Sequence, residues 1–191
     1  MARIGIAAGH SGKTEGERRY EWSRCSAAAG ALRSMLREAS HYVPSMLNGI
    51  HNMANDDALA AKICFFNRER VDLAIELHLN AGGGSYSTAL YWANKYRGEI
   101  KFSMAGRSAA GAICNQFNLT LPWRSMGARS MLWSGMMKFL HECKAPAVIV
   151  EPGFKDCAQH REWMDSAGFA QEYAAMVFLG IQKHCQAWDT V

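Results

Sequence analysis

The sequence predicts a single α/β domain with a mostly parallel, twisted sheet covered by helices on both faces. Three observations predict it. Short apolar runs alternate with stretches of helical periodicity, the longest runs are apolar enough to lie centrally in a sheet, and 191 residues suffice for one sizeable core.

In chain order, "RIGIAAG" (3–9) reads as a first strand ending in glycine. A helix is expected from about Glu21, where Trp22, Cys25, Ala29, Leu32 and Leu36 recur at helical spacing. "SHYVPSM" reads as a short strand with a loop, and "NDDALAAKICFFNRE" (55–69) as a helix with an Asn or Asp cap. "VDLAIELHL" (71–79) and "STALYWA" (87–93) read as the next two strands. "FSMAGRSAAGAICNQFNL" (102–119) is helical, "LPWRSMGARSMLWSG" (121–135) a long loop, and "MKFL" (137–140) a short strand. "APAVIVEPGF" (145–154) is a buried strand carrying a glutamate, and 163–185 forms one or two amphipathic helices. Strands joined through helices imply right-handed crossovers, and in such sheets sites collect at the carboxyl ends of the strands.

Composition narrows the function. A net charge of +4 favours an anionic partner, but the basic residues in "GERRYEWSR", "NRER" and "NKYRGEIK" are mixed with acids, unlike a phosphate-tracking stripe. No nucleic-acid partner is expected. No apolar run is long enough to cross a bilayer, and "MARIGIAAGHSG" is too short before its polar break for a signal peptide. No stable membrane insertion is expected, and the protein is placed in the cytoplasm of the producing cell. The six cysteines include no C-x-x-C pair and read as reduced thiols, several of them buried.

Three strands end in unusual polar residues: "AAGH" in His10, "ELHLN" in His78 and "VIVEPG" in Glu151. Imidazole nitrogen and carboxylate oxygen suit zinc, and a catalytic zinc needs three protein ligands with one open position. His10 and His78 supply two. For the third, Glu15, Glu17 and Glu21 are the nearby candidates, and Glu21 shares the helix face of Cys25, Ala28 and Leu32. Glu21 is therefore preferred, with Glu17 in reserve. Glu151 follows the apolar "PAVIV", where burial raises a carboxyl pKa toward that of a general acid or base. Zinc lowers the pKa of water to about 7 and polarises a carbonyl, so hydrolysis of an amide or ester is implied.

The ordered set "GHSG", a glutamate in the next helix, "HLNA" and "PAVIVEPGF" resembles the zinc-dependent N-acetylmuramoyl-L-alanine amidases of the amidase 3 type, over about residues 3–184. The resemblance implies a phosphorylase/hydrolase-like fold and one Zn2+ ion on His10, Glu21 and His78. It also implies Glu151 as the catalytic residue and cleavage between N-acetylmuramic acid and L-alanine in peptidoglycan. One catalytic domain over 1–191, with no separate wall-binding domain, resembles the single-domain phage endolysins. The expectation is then a monomer that lyses its host and needs a holin or similar agent to reach the wall. The alternatives are another zinc amidohydrolase or carboxypeptidase acting on small peptides, and a wall-binding module without catalysis.

The chain departs from the family in carrying Glu76 where a serine is common, on the same strand face as His78 and Asn80. Glu76 is read as a carboxylate orienting a ligand imidazole, the other reading being a pair with lysine or arginine. The spacing from His10 to Glu21 is also shorter than in many relatives. Arg124 and Arg129 are candidates for holding substrate carboxylates. Trp123, Trp133, Trp163, Tyr91 and Trp92 offer a sugar platform but read first as packing. "AGGGS" reads as a flexible turn beside the site.

Overall fold

A computed structural model describes residues 1–46, 50–132 and 137–188. Strand β1 (Ile4–Ala8) leads into helix α1 (Gly16–Glu38), followed by α2 (Asn55–Glu69), β2 (Leu73–Leu77) and the hairpin of β3 (Ser87–Tyr96) and β4 (Glu99–Phe102). Then come α3 (Met104–Thr120), β5 (Ser125–Met131), α4 (Lys138–Glu142), β6 (Ala147–Glu151), α5 (Ala158–Asp165) and α6 (Phe169–Trp188).

The sheet runs in the order β1-β2-β6-β3-β4, with β5 also pairing β3. β1, β2 and β6 are mutually parallel, as is the β3–β5 pair, while β3 is antiparallel to β6 and to β4. The sheet is thus mixed but mostly parallel. Its helices lie on both faces: α1, α3 and α6 pack on Ile4, Ile6, Ile75, Leu77, Val148 and Val150, whereas α2 and α4 cover Ala7, Ala74, Ala147 and Ile149. The alternation follows from the period-two direction of strand side chains. Among the described residues no helix is long and apolar enough to cross a membrane. All six cysteines are free; Cys25 and Cys114 are buried, but Cys64 is exposed.

Four expectations need correction. α1 starts at Gly16 rather than near Glu21, because its first turn exposes Glu17, Arg18 and Arg19 and carries no apolar stripe to betray it. The 121–135 segment contains β5, a strand with no buried position, which hydrophobic alternation cannot detect. Residues 138–142 form a helical turn, since Phe139 and Leu140 both bury in the second core cluster, and adjacent buried residues mimic a strand. The cap of α2 is the Ala54 backbone, with no side-chain bond, and Asn55 is already helical. The 40–46 segment makes only isolated parallel bridges to β1, Arg3 with Tyr42 and Ile6 with Ser45.

Topology positions the site. In the parallel trio, Ala8 stands beside Leu77, and Leu77 beside Val150, so the three strands finish level with one another. Residues just past those ends must converge, and His10, His78 and Glu151 stand there. β3, running the other way, brings Thr88 against Glu151.

Candidate metal centre

His10 follows Gly9 with a left-handed φ of 61°, a conformation that non-glycine residues seldom adopt and that turns its ring back over the strand ends. Glu21 projects from the second turn of α1 and is almost fully buried. Donor atoms of His10, Glu21 and His78 all lie within 4.8 Å of one another. His10 Nε2 is 3.2 Å from Glu21 Oε2, and His78 Nδ1 is 2.9 Å from Glu21 Oε1. Glu21 also accepts from the Leu79 amide at 3.0 Å and from Lys155 Nζ at 2.5 Å. Burial alone would raise the Glu21 carboxyl, but hydrogen bonds with His10 and His78 outweigh it and hold the group well below the usual carboxylate range.

The remaining ring nitrogens are also engaged. His10 Nδ1 lies 3.3 Å from the Asn55 side-chain oxygen. His78 Nε2 lies 3.1 Å from Glu76 Oε2, an ion-pair contact whose angle falls short of a directed hydrogen bond. Burial would lower the His78 imidazole, yet the Glu76 and Glu21 carboxylates lift it to about 10. Burial likewise opposes ionisation of Glu76, but Lys62 and His78 bring it down to about 2. Glu76 thus contacts His78 with one oxygen, while Lys62 Nζ donates to the other at 2.7 Å.

Glu151 faces the same space. Burial raises its carboxyl and nearby Glu21 adds to the effect, against the opposing pull of His78, Arg129 and the Asn80 hydrogen bond. Asn80 Nδ2 donates to Glu151 Oε2 at 2.6 Å. A cavity of about 180 Å³ is lined by His10, Asn55, Lys62, Glu76, His78 and Glu151 together with apolar residues of α2, α4 and β6. It adjoins a groove of about 500 Å³ that shares His10, Asn55 and Leu59 and carries Arg18 and Lys138.

The donor set of two nitrogens and one carboxylate oxygen fits zinc. So does the space around it. A Cβ on Gly9 would stand 2.3 Å from His78 Cε1, so only glycine lets that ring reach the cluster.

Other candidates fall outside this cluster. Glu17 is exposed and pairs with Arg161 at 3.1 Å. Arg129 is exposed on β5 and Arg124 is exposed just before it, and neither lines the cavity. Trp123 stacks on His160 with centroids 4.0 Å apart and meets Trp163 edge-on, and Tyr91 is buried in the core. Packing accounts for these rings; Trp133 lies outside the described residues. The "AGGGS" turn is pinned, since the Asp156 carboxylate accepts from the Gly82 and Gly83 amides at 2.8 and 2.9 Å.

Sequence reasoning missed Asn55, Lys62 and Lys155. Lys62 left a signal: a cation on the buried stripe of α2, among Ala58, Ile63 and Phe66. Lys155 left none.

The model of the N-acetylmuramoyl-L-alanine amidase family matches residues 4–183. Comparison with curated protein sequences finds no match. Among solved structures, the catalytic domain of an endolysin targeting Clostridia difficile is similar at 22% identity and a TM-score of 0.76, over 96% of this chain and 98% of that one. The N-acetylmuramyl-L-alanine amidase of Mycobacterium smegmatis is similar at 15% identity and a TM-score of 0.81, over 97% of each chain. The catalytic domain of an N-acetylmuramoyl-L-alanine amidase from Bacillus (Paenibacillus) polymyxa var. colistinus matches at 18% identity and 0.78, over 97% and 99%.

Proposed function

The chain belongs to the N-acetylmuramoyl-L-alanine amidase family, and from that premise we propose that it hydrolyses the amide joining N-acetylmuramic acid to L-alanine in peptidoglycan, using one zinc ion. The observation that carries the proposal is the convergence of His10, Glu21 and His78 beside a buried Glu151 in one cavity.

His10, Glu21 and His78 hold the metal. When bound, zinc polarises the amide carbonyl and acidifies water toward neutral pH. Glu151 moves the proton: its Oε2 is committed to Asn80, leaving Oε1 to take a proton from attacking water and return it to the leaving L-alanine nitrogen. In the metal-free protein, burial and the nearby Glu21 carboxylate raise its carboxyl, the direction a proton-transfer group needs. Glu76 orients His78, and Asn80 orients Glu151. Arg124 and Arg129, both exposed, are the arginines available to meet a substrate carboxylate.

The likeness to an endolysin domain supports a lytic role. In that role the protein is a monomer that accumulates in the producing cell and meets the wall after a holin or similar agent opens the membrane.

Digestion of purified peptidoglycan, with muropeptides analysed by mass spectrometry, tests the activity. Free lactyl ends paired with new L-alanine amines on intact stem peptides are expected. Shortened stem peptides would instead identify a carboxypeptidase, and unchanged muropeptides a binding module.

A further inference from the structure

The described cavity wall contains a lysine that the proposed reaction does not use. Lys62 is 1% exposed, and its Nζ donates at 2.7 Å to the Ala8 carbonyl at the end of β1 and at 2.7 Å to Glu76 on β2. One ammonium therefore ties together the two strands that deliver His10 and His78. Asn55, seven residues earlier on the same helix, lies two turns away along the same face and meets His10 Nδ1 at 3.3 Å.

Fold stability alone does not account for Lys62. Burying a charge is costly, and replacing a buried ion pair by apolar residues of similar volume is often neutral or stabilising. The pair nonetheless stands against His78, in a wall shared with Glu151.

Resting on the metal reading above, we propose that α2 is the outer brace of the centre, with Asn55 and Lys62 as positioning residues. Asn55 acts directly on the ring of His10. Lys62 fixes Glu76 so that one of its oxygens stays on His78, and holds the end of β1 at the same time. The sequence supports the division of labour. A carboxylate at position 76 can accept from an ammonium and meet an imidazole on two separate oxygens, and this chain pairs Glu76 with a lysine of α2.

Zinc affinity, measured by competition with a chromophoric chelator on protein checked for folding by circular dichroism, tests the brace without using turnover. Lys62→Met and Asn55→Ala should each weaken zinc binding, the first by roughly 10- to 100-fold as when partners behind metal ligands are lost. Lys62→Met strands the Glu76 charge and is prone to unfold, so the double variant Lys62→Met/Glu76→Leu decides the matter. It removes the stranded charge and, once shown to be folded, should still bind zinc roughly 10- to 100-fold more weakly. With cobalt in place of zinc, the visible absorption bands of Asn55→Ala should shift as the His10 ring reorients. Parent-like affinity in the folded double variant overturns the brace and leaves the metal reading intact. A parent protein that takes up no zinc overturns both.

Discussion

At Glu151 the environment suits the proposed chemistry, because burial and the nearby Glu21 charge raise the carboxyl while Asn80 fixes one of its oxygens. Glu151→Gln keeps the shape and the Asn80 contact but removes the proton acceptor. It should retain zinc and fold yet lose about 10²- to 10⁴-fold in kcat, roughly 3 to 5 kcal/mol of barrier. Steady-state kinetics beside metal analysis checks this, and near-parent turnover removes Glu151 from the mechanism. Lys155 presents the opposite case. Its ammonium rests on Glu21 Oε2, an oxygen that a metal ion also needs, so lysine and dication compete for one carboxylate. Lys155→Met should lower the melting temperature of the metal-free protein, because buried Glu21 loses one of its compensating partners, and should tighten zinc binding. Calorimetric titration reads the second effect, and an unchanged or weaker affinity rejects the competition.

At the level of elements, legibility in the sequence followed burial. β2, β6 and α2 announce themselves through apolar runs or a clear stripe, and α2 begins and ends where its pattern does. β5 and the first turn of α1 do not, because no side chain there is fully buried and their structure comes from pairing or from a neighbouring turn. The antiparallel setting of β3 was hidden for another reason: strand direction is a property of the connections, and no residue within β3 encodes it. Among the candidate site residues, His10, His78 and Glu151 stand at the ends of apolar strands, and Glu21 is picked from three nearby glutamates by its helix face, whereas Lys155 and Asn55 sit in polar segments that look like ordinary loop and helix start. Packing between elements is testable at the α3–α6 crossing. A Cβ on Gly180 would lie 2.6 Å from Ile113 Cα, in backbone that cannot rotate away. Gly180→Ala should therefore destabilise the fold by about 1 to 3 kcal/mol despite its gain in helix propensity, as overpacking does. Chemical denaturation measures it; a stabilised variant would show that the two helices separate readily.

Across the whole molecule, the proposed metal binding couples to folding in one equilibrium. Zinc at 100-fold above its dissociation constant adds about 2.7 kcal/mol, which for a domain of this size raises Tm by roughly 5 to 11 °C. The rise should grow with pH. Without metal, the carboxylates around His78 lift its imidazole to about 10, so it stays protonated near neutrality and must release that proton to bind zinc. The same raised pKa stabilises the metal-free fold fully below about 6.5, and that contribution fades as pH climbs toward about 10. Both effects act in one direction, so the zinc-induced shift measured by calorimetry should be larger at about pH 8.5 than at about pH 6.5, a window below the raised imidazole pKa. A shift independent of pH would mean that His78 gives up no proton to the metal.

The proposed centre requires three side chains from distant parts of the chain to share one ion. Anomalous diffraction at the zinc absorption edge, from crystals grown with zinc, locates that ion directly. One peak is expected about 2.0 to 2.2 Å from a nitrogen of His10, a nitrogen of His78 and an oxygen of Glu21. A peak elsewhere, or density there with Lys155 still seated on Glu21 and no anomalous signal, contradicts it.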